Sequence, residues 1–489
     1  METRIGSSPE DAGMDAAKLA LIFDEVEYGK FKETHGIYAV RNGVRVFESY
    51  FYPYSAEKLH NLYSVTKSLT SALIGIAIKQ GLIEGVHQKA LDFFPEIAAL
   101  QLDPRKHEIT LEHLLTMTPG FEWEDEDSLK AGMKCEDWNR HMFEQPLGHE
   151  PGTTFTYNSG CSYMLLSILH RVAGISTTEF AERYLFGPLG ISDYYWCTCP
   201  KGVLIGGFGA LLKPADMVKL GQLYLNGGEW NGQRIVTEEW VRESTIKRTE
   251  NGYGYHWWVI EEERRYAAAG YGGNFIHVVP DLKLVVAVTN GGGNELPVGM
   301  FSRAIVSDEP LPANPEAQAL IEERARRAEE MPPIERHLIP GLAERISNRP
   351  IRLTPNRGSF ESMTFRFETG RPDEADISFS LVGGGTQTCA IGLDNRYRIS
   401  YAARPDYDVS DAPIATIHDF STLYPWMLPA YTVGRKGIWR DETTFELQSE
   451  AFETGFRQQM TFRFSEAGVT VEAGILSYDD TFTFEGRWD

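Results

Sequence analysis

The chain has 489 residues, of which 42% are hydrophobic and 24% are charged, a composition typical of a globular protein with two or three domains. Acidic residues outnumber basic ones by 69 to 47, and the formal charge of −22 disfavours nucleic acid and anionic membranes as partners. The sequence contains no apolar run of the roughly 20 residues that cross a bilayer, and its first residues lack the apolar stretch of a signal peptide. Five scattered cysteines favour a reducing compartment, so we expect a cytoplasmic protein.

The first predicted elements are a helix within 12–29 and a β-hairpin, whose strands at 37–40 and 44–47 flank the dipeptide Asn42-Gly43. Asn-Gly is typical of the tight primed turns that join antiparallel strands. A second helix is predicted from Ser64 to Gly81. Its middle is apolar on nearly every side, which indicates a buried helix.

Residues 90–250 carry mostly helix and loop signals, and strand patterns return at 253–260, 265–269, 275–279 and 284–289. Short turns join these late strands, so we expect antiparallel pairing. The early hairpin and the late strands are therefore predicted to form one antiparallel sheet, with a helical insertion between its two halves.

The character of the chain changes near residue 310, where a Pro-rich stretch, Asp308–Pro315, precedes a charged helix over Glu316–Glu330. From about 350 onward, many short segments alternate apolar and polar residues, which predicts an all-β barrel or sandwich. We therefore predict a first domain at 1–310, a linker with a charged helix at 311–344, and a barrel-like domain at 345–489.

Ser64 and Lys67 are the candidate catalytic pair that the residues themselves provide. The spacing i, i+3 places the hydroxyl and the amine on one face of the predicted helix. An apolar environment makes the charged lysine costly, and a neutral amine beside a serine can take the hydroxyl proton. The same four residues also suit a helix-capping serine with a solvated lysine, and the motif alone leaves both interpretations open.

Further motifs follow one another along the chain. They are Tyr63–Ser68, Ile109–Gly120, Glu150–Gly160, Leu185–Gly190, 206–209 with 214–217, and Ala269–Ile276 followed by Val279–Asp281. With these segments in this order, the sequence resembles the serine β-lactamase and D,D-peptidase superfamily, and in particular its esterase and 6-aminohexanoate-dimer hydrolase branch, over roughly residues 5–305.

The resemblance implies an α/β, β-lactamase-like fold, in which helices flank both faces of the antiparallel sheet, and a set of roles. Ser64 would be the nucleophile that forms an acyl-enzyme, and Lys67 would be its base or proton relay. Tyr157 would pass a proton to the leaving group and later activate water. The backbone N–H groups of Ser64 and Tyr271 would form an oxyanion hole. Neither a metal nor an organic cofactor is expected. The C-terminal domain resembles, loosely, the lipocalin-like tails of relatives in this branch.

Two departures from the family pattern bear on the substrate. Ser159 stands where the β-lactamase and peptidase members carry asparagine in Tyr-x-Asn, and the sequence contains no Lys-Thr-Gly motif. Arg265, near the third motif, is a candidate replacement for the anion-binding lysine of Lys-Thr-Gly. We therefore favour carboxylic esters or small linear amides as substrates. A β-lactamase or D-amino-acid peptidase on the same residues, and a non-catalytic or slowly deacylating binder, remain alternatives.

Candidate substrate-binding residues are Ser159, Trp123, Trp257 and Gly272. Aromatic side chains can hold an apolar group, although core packing is the alternative explanation for at least one of the neighbours Trp257 and Trp258. The acidic residues of the run Glu122–Asp127, with Trp123, are candidates for a pocket rim that could attract an amine-bearing substrate, and a solvated loop is the favoured interpretation of this run. The expected partner is a small ester or amide, and the sequence is compatible with a homo-oligomer.

Overall fold

The computed structural model describes residues 8–292, 294–356, 360–368, 370–382, 385–403, 430–475 and 481–488. The chain divides into two compact units. Unit 1 comprises Met1–Tyr50, Ala56–Asn290 and Asn294–Arg327, and unit 2 comprises Phe51–Ser55, Gly291–Gly293 and Ala328–Asp489.

Unit 1 contains a six-stranded antiparallel sheet with the order β2-β1-β11-β10-β9-β8. The predicted β-lactamase-like sheet, built from an early hairpin and late strands, is confirmed. Asn42 and Gly43 both have positive φ, as a primed turn requires, and they join β1 to β2. The strands of unit 1 are β1 (Thr34–Arg41), β2 (Val44–Tyr50), β3 (His60–Asn61), β4 (Tyr195–Trp196), β5 (Ala210–Leu212), β6 (Glu229–Trp230), β7 (Gln233–Arg234), β8 (Trp258–Ile260), β9 (Arg265–Gly270), β10 (Asn274–Val279) and β11 (Leu284–Asn290).

Helices cover both faces of this sheet, and further helices form the insertion between β2 and β8. They are α1 (Ala16–Glu27), α2 (Thr66–Lys79), α3 (Pro95–Ala98), α4 (Leu111–Leu115), α5 (Asp125–Met133), α6 (Trp138–Glu144), α7 (Ser159–Ala173), α8 (Thr177–Ala181), α9 (Gly187–Leu189), α10 (Pro214–Leu225), α11 (Glu238–Ser244), α12 (Gly299–Ser302) and α13 (Pro315–Glu329). A Cβ on Gly221 of α10 would meet Val285 at 2.5 Å, so α10 packs closely on one face. On the other side, Phe23 of α1 packs on Phe47 of β2.

The predicted strand at 253–260 is shorter than expected, because only Trp258–Ile260 forms β8. His256 has a positive φ of 61°, which interrupts the extended backbone just before this strand. The alternation of inward and outward side chains is therefore broken between residues 255 and 258.

Unit 2 is a barrel, as predicted, and nine of its strands form the closed ring. Within the described residues the strand order is β15-β14-β13-β12-β21-β20-β19-β18-β17-β16, and a parallel pairing of β15 with β17 closes the ring. Phenylalanine rings fill the interior, among them Phe365, Phe445 and Phe462. The elements are α14 (Gly341–Ile346), β12 (Pro350–Leu353), β13 (Phe360–Phe367), β14 (Glu374–Leu381), β15 (Thr386–Gly392), β16 (Arg398–Ala403), β17 (Ala430–Trp439), β18 (Thr444–Ala451), β19 (Phe456–Phe464), β20 (Gly468–Ile475) and β21 (Thr481–Trp488).

Across the described ranges, none of the helices combines the length and the apolar character needed to span a membrane.

Candidate active site

Ser64 lies in a strained turn that joins the short strand β3 to the buried helix α2. The turn is a 3-10 helix over Tyr63–Val65, and α2 begins directly after it at Thr66. Tyr63 has a positive φ of 48°, which is costly for a residue with a side chain. Its N–H donates to the Asn61 side chain at 2.9 Å, and this bond helps to hold the turn. The strained turn leaves the Ser64 side chain partly exposed at the start of α2.

Lys67 is the most deeply buried charged group of the site, with 1% of its surface exposed. Its Nζ lies 3.0 Å from Ser64 Oγ, 2.9 Å from Ser159 Oγ and 2.7 Å from the carbonyl oxygen of Gly207. The close approach of Gly207 requires a glycine, because a Cβ there would lie 2.8 Å from the backbone oxygen of Ser159. Ser64, Ser159 and Gly207, which belong to three distant parts of the sequence, therefore all contact the Lys67 amine.

Ser159, the first residue of α7, is held by Asp125, the first residue of α5. Asp125 accepts the Ser159 N–H at 2.6 Å through Oδ1 and the Ser159 hydroxyl at 2.8 Å through Oδ2. The same Oδ1 also accepts the indole N–H of Trp123 at 2.8 Å. Asp125 was assigned to a solvated acidic loop from the sequence, and that interpretation is wrong for this residue.

Tyr157 lies on the other side of Lys67, with Nζ of Lys67 4.7 Å from the centre of the phenol ring. The ring is half-buried and stacks on Trp258, with ring centres 6.3 Å apart and planes inclined by 14°. The amine faces the Tyr157 ring, and the stacked indole of Trp258 restricts the orientation of that ring. The structure thus brings Ser64, Lys67, Tyr157 and Ser159 together in one site.

The end of β9 packs directly against the Ser64 turn. A Cβ on Gly270 would lie 2.2 Å from the Leu62 carbonyl oxygen and 3.3 Å from the Ser64 nitrogen. Tyr271 follows, with its ring in edge contact with that of Tyr63 at 5.8 Å. The two predicted oxyanion-hole residues therefore lie at adjoining backbone segments. Gly272, with a positive φ of 80°, is in the turn between β9 and β10.

Beside Ser159, a narrow apolar cleft with a cavity volume of about 20 Å³, room for about one water molecule, lies between α5, α6 and α7. Trp123 lines the cleft, together with side chains from α5 and α6, such as Leu129 and Met142. The start of α7 forms another wall, where Gly160 leaves room for the Met142 sulfur, which would lie 2.2 Å from a Cβ there. The remaining lining residues are Ser128, Gly132, Met133, Trp138, His141, Tyr163, Ile205 and Phe208.

Trp257, one of the predicted substrate-binding residues, lies away from this site. Trp257 is fully buried in the core against Tyr224 and Tyr266, with ring centres 4.5 Å and 5.3 Å away, so it does not line the cleft. Its neighbour Trp258 is the tryptophan that contacts Tyr157.

Arg265 begins β9, whereas Gly270, beside Ser64, ends it. The two ends are five residue steps apart, which corresponds to roughly 16 Å along an extended strand. The guanidinium donates to Glu263 at 2.6 Å and lies 3.0 Å from Nδ1 of His277. Arg265 is therefore engaged at the far end of the strand, and the expectation that it replaces the anion-binding lysine is not supported by its position.

A buried histidine, His256, contacts two helices of the site. Its Nε2 lies 2.9 Å from the Ser162 hydroxyl, and the His256 backbone carbonyl oxygen accepts a hydrogen bond from the Ser68 hydroxyl at 2.7 Å. Burial, with a smaller effect from the nearby Lys67 ammonium, lowers the pKa of His256 to about 3. His256 is therefore neutral at physiological pH. It links α2 and α7, which carry Lys67 and Ser159.

Among the residues that the structure describes, no group of three or more His, Cys, Asp and Glu side chains is arranged to hold a metal ion.

Sequence reasoning missed three groups of the site: the Asp125 carboxylate, the Gly207 carbonyl and the Trp258 ring. Asp125 lies 34 residues from Ser159 along the chain, so no local spacing signals the contact. Any backbone carbonyl has the same chemistry, so the sequence carries no signal for the role of Gly207. Trp258 was noted beside Trp257, but the residue that faces Tyr157 was not identifiable.

Comparison with known proteins places these observations in a family context. The model of the beta-lactamase family matches residues 32–300, more than half of the chain. The 6-aminohexanoate-dimer hydrolase of Paenarthrobacter ureafaciens is 24% identical over 254 residues, which cover 46% of this chain and 64% of that protein. The lovastatin esterase of Penicillium rubens is 26% identical over 197 residues, 36% of this chain and 49% of that protein. The matched regions thus span less than two thirds of either relative.

Among solved structures, a family VIII carboxylesterase is similar, with 17% identity and a TM-score of 0.49. The similarity covers 67% of this chain and all of that one.

Proposed function

Because the chain belongs to the beta-lactamase family, we propose that it is a serine hydrolase that cleaves carboxylic esters or small linear amides through an acyl-enzyme on Ser64. The observation that carries this proposal is the convergence of Ser64 Oγ, Ser159 Oγ and the Gly207 carbonyl on the buried Nζ of Lys67. A serine with an amine at 3.0 Å is an activated nucleophile when the amine is neutral.

In the proposed reaction, Lys67 takes the proton of Ser64 as Oγ attacks the substrate carbonyl. The negative charge on the carbonyl oxygen is stabilised by the N–H groups of Ser64 and Tyr271. Tyr157 then gives its proton to the leaving alcohol or amine, and the Lys67 ammonium beside its ring restores that proton. In the second half, Lys67 takes a proton from a water molecule as the water oxygen attacks the acyl-enzyme. The bond between the acyl carbon and Ser64 Oγ then breaks, Lys67 returns the proton to Oγ, and the carboxylic acid leaves.

The apolar cleft supports substrates with an uncharged apolar group. Its lining is mostly aromatic and aliphatic, and Met133 and Met142 are side chains that adapt to different shapes. Ser159 lines this cleft, and its Oγ and that of Ser64 both lie within hydrogen-bond distance of the Lys67 amine. An acyl or alcohol group that these side chains admit by moving apart would therefore lie next to the reacting bond.

The proposed function is tested by intact-mass analysis after treatment with a fluorophosphonate, alongside hydrolysis of p-nitrophenyl butyrate. The wild type should gain a single adduct on Ser64 and turn over the ester, with or without EDTA. Ser64→Ala should do neither. A wild type that neither labels nor hydrolyses the ester, or whose activity is lost to EDTA and restored by zinc, would contradict the proposal.

Substitution of Gly270 is expected to disable the oxyanion hole. In Gly270→Ala the new Cβ collides with the Leu62 carbonyl, so either the end of β9 or the Ser64 turn must move. Loss of one oxyanion donor typically costs about 100- to 1,000-fold in kcat, and we expect a loss of this size with p-nitrophenyl butyrate. Gly341→Ala is the matched control, since a Cβ there meets nothing within 4 Å. Equal activities of the two variants would argue against the role of this strand end.

Filling the apolar cleft is expected to change chain-length preference. Leu129 is half-buried in the cleft wall, and Leu129→Trp would occupy the space beside Ser159. Since apolar pockets discriminate by about 1–3 kcal/mol per methylene, kcat/KM for p-nitrophenyl octanoate should fall at least about tenfold relative to the acetate. Leu21→Trp, at an exposed position of α1, is the control. A parallel series of alkyl acetates shows whether the acyl chain or the alcohol enters the cleft, and an unchanged preference in both series would exclude it as a binding site.

A further inference from the structure

The hydrogen bonds around Ser159 have a fixed direction, because Asp125 can only accept. An ionised carboxylate has no proton to donate, whereas a serine hydroxyl has one. The bond of 2.8 Å between Ser159 Oγ and Asp125 Oδ2 therefore uses the single hydroxyl proton of Ser159. Ser159 Oγ can therefore only accept a hydrogen bond from Nζ of Lys67, which lies 2.9 Å away.

The same reasoning fixes two of the amine protons of Lys67. The Gly207 carbonyl, 2.7 Å from Nζ, can only accept, and Ser159 Oγ is restricted to accepting by Asp125. Within the described part of the chain, the remaining oxygen within hydrogen-bond distance of Nζ is that of Ser64. In the neutral form, which the proposed attack by Ser64 requires, the amine has two N–H bonds and one lone pair. With both N–H bonds engaged, the lone pair is left for Ser64 Oγ at 3.0 Å.

We propose that Asp125 is a positioning residue, which acts through the Ser159 hydroxyl to direct the lone pair of Lys67 at Ser64. The inference rests on the proposed function of Ser64 as a nucleophile. Without an acceptor-only partner, the Ser159 hydroxyl can turn and donate its proton to Nζ. It then competes with Ser64 for the same lone pair. The carboxylate prevents this competition without touching the substrate.

The alternative role of Asp125 is purely structural. Its contacts with the Ser159 N–H and the Trp123 indole also anchor the start of α5. Both roles predict a loss of activity on mutation, so a single variant does not distinguish them. The two roles differ in one respect, because only the positioning role acts through the Ser159 hydroxyl.

A double-mutant cycle with Asp125→Asn and Ser159→Ala separates the two roles. Asparagine has nearly the same shape, but its amide N–H₂ can donate to Ser159 Oγ and release the hydroxyl proton. We expect Asp125→Asn to slow fluorophosphonate labelling of Ser64 and kcat by at least about tenfold, within the range of general-base effects, with KM changed less than threefold. In the Ser159→Ala background, the same substitution should cost less than twofold.

Asp127→Asn, at an exposed position of the same helix, controls for the loss of one negative charge. Asp125→Glu keeps an acceptor-only carboxylate and should recover most of the activity. If Asp125→Asn melts below the assay temperature, all four proteins of the cycle are measured at a lower temperature. An undiminished cost of Asp125→Asn in the Ser159→Ala background would overturn the proposal in favour of the structural role. A wild type that fails to label at all would instead refute the proposed function.

Discussion

Lys67→Ala is expected to reduce acylation of Ser64 by about 100- to 10,000-fold at neutral pH, the range found for general acid–base catalysis. The reason is that Nζ of Lys67 is the only amine within hydrogen-bond distance of Ser64 Oγ among the described residues. Without it, the hydroxyl has no base and attacks as a weak nucleophile. The measurement is the second-order rate of fluorophosphonate labelling, followed by intact mass, because it reports Ser64 without a second catalytic step.

Two controls accompany this variant. Lys79→Ala removes an exposed lysine from the other end of α2 and should label at the wild-type rate. Thermal unfolding of Lys67→Ala should be measured as well, since Thr66–Ala77 of α2 is buried throughout and loss of the lysine stem leaves a cavity. A folded Lys67→Ala protein that labels within tenfold of the wild type would show that another group deprotonates Ser64.

The pair Ser64 and Lys67 could be predicted because their relation is local. An i, i+3 spacing at the start of a helix places two side chains together wherever that helix lies. The hairpin at Asn42-Gly43 was predictable for the same reason, since the turn chemistry is contained in two residues. Tyr157 is different, because only its resemblance to a family motif connected it to Ser64 across the sequence.

Asp125 and Trp258 show why the rest of the site was not predictable. Asp125 meets Ser159 only because α5 and α7 begin side by side, a result of tertiary packing. Simple alternation along a strand places one of Trp257 and Trp258 inward but does not say which. The positive φ of His256 then breaks that alternation, and such a conformation at a non-glycine residue has no clear signal in the sequence.

The barrel of unit 2 shows the same division between local and non-local information. The alternating segments from about residue 350 onward predicted strands, and two of these segments, 363–367 and 460–464, lie within β13 and β19. Closure of the ring depends on the pairing of Gly392 with Lys436, 44 residues later, which no local pattern specifies. Strand existence was therefore predictable, whereas strand order was not.

Tyr157→Phe is expected to separate turnover from labelling. The substitution removes the hydroxyl but keeps the ring that stacks on Trp258 and lies beside Lys67, so the fold and the Ser64–Lys67 pair should be preserved. Turnover of an alkyl ester or an anilide should fall at least about 100-fold, because the leaving group no longer receives a proton. Fluorophosphonate labelling should stay within about threefold of the wild type, since fluoride leaves without a general acid and Lys67 still activates the nucleophile.

The identity of the leaving group makes this prediction specific. Because p-nitrophenolate is weakly basic and departs without protonation, Tyr157→Phe should cost much less with p-nitrophenyl butyrate than with ethyl butyrate if the phenol acts as an acid. Tyr253→Phe is the matched control, since its ring packs 6.5 Å from that of Tyr157 and burial raises its pKa well above the usual range, so that it stays protonated. Equal losses with both esters would indicate that Tyr157 acts in the attack of water or in shaping the site, and not in protonating the leaving group.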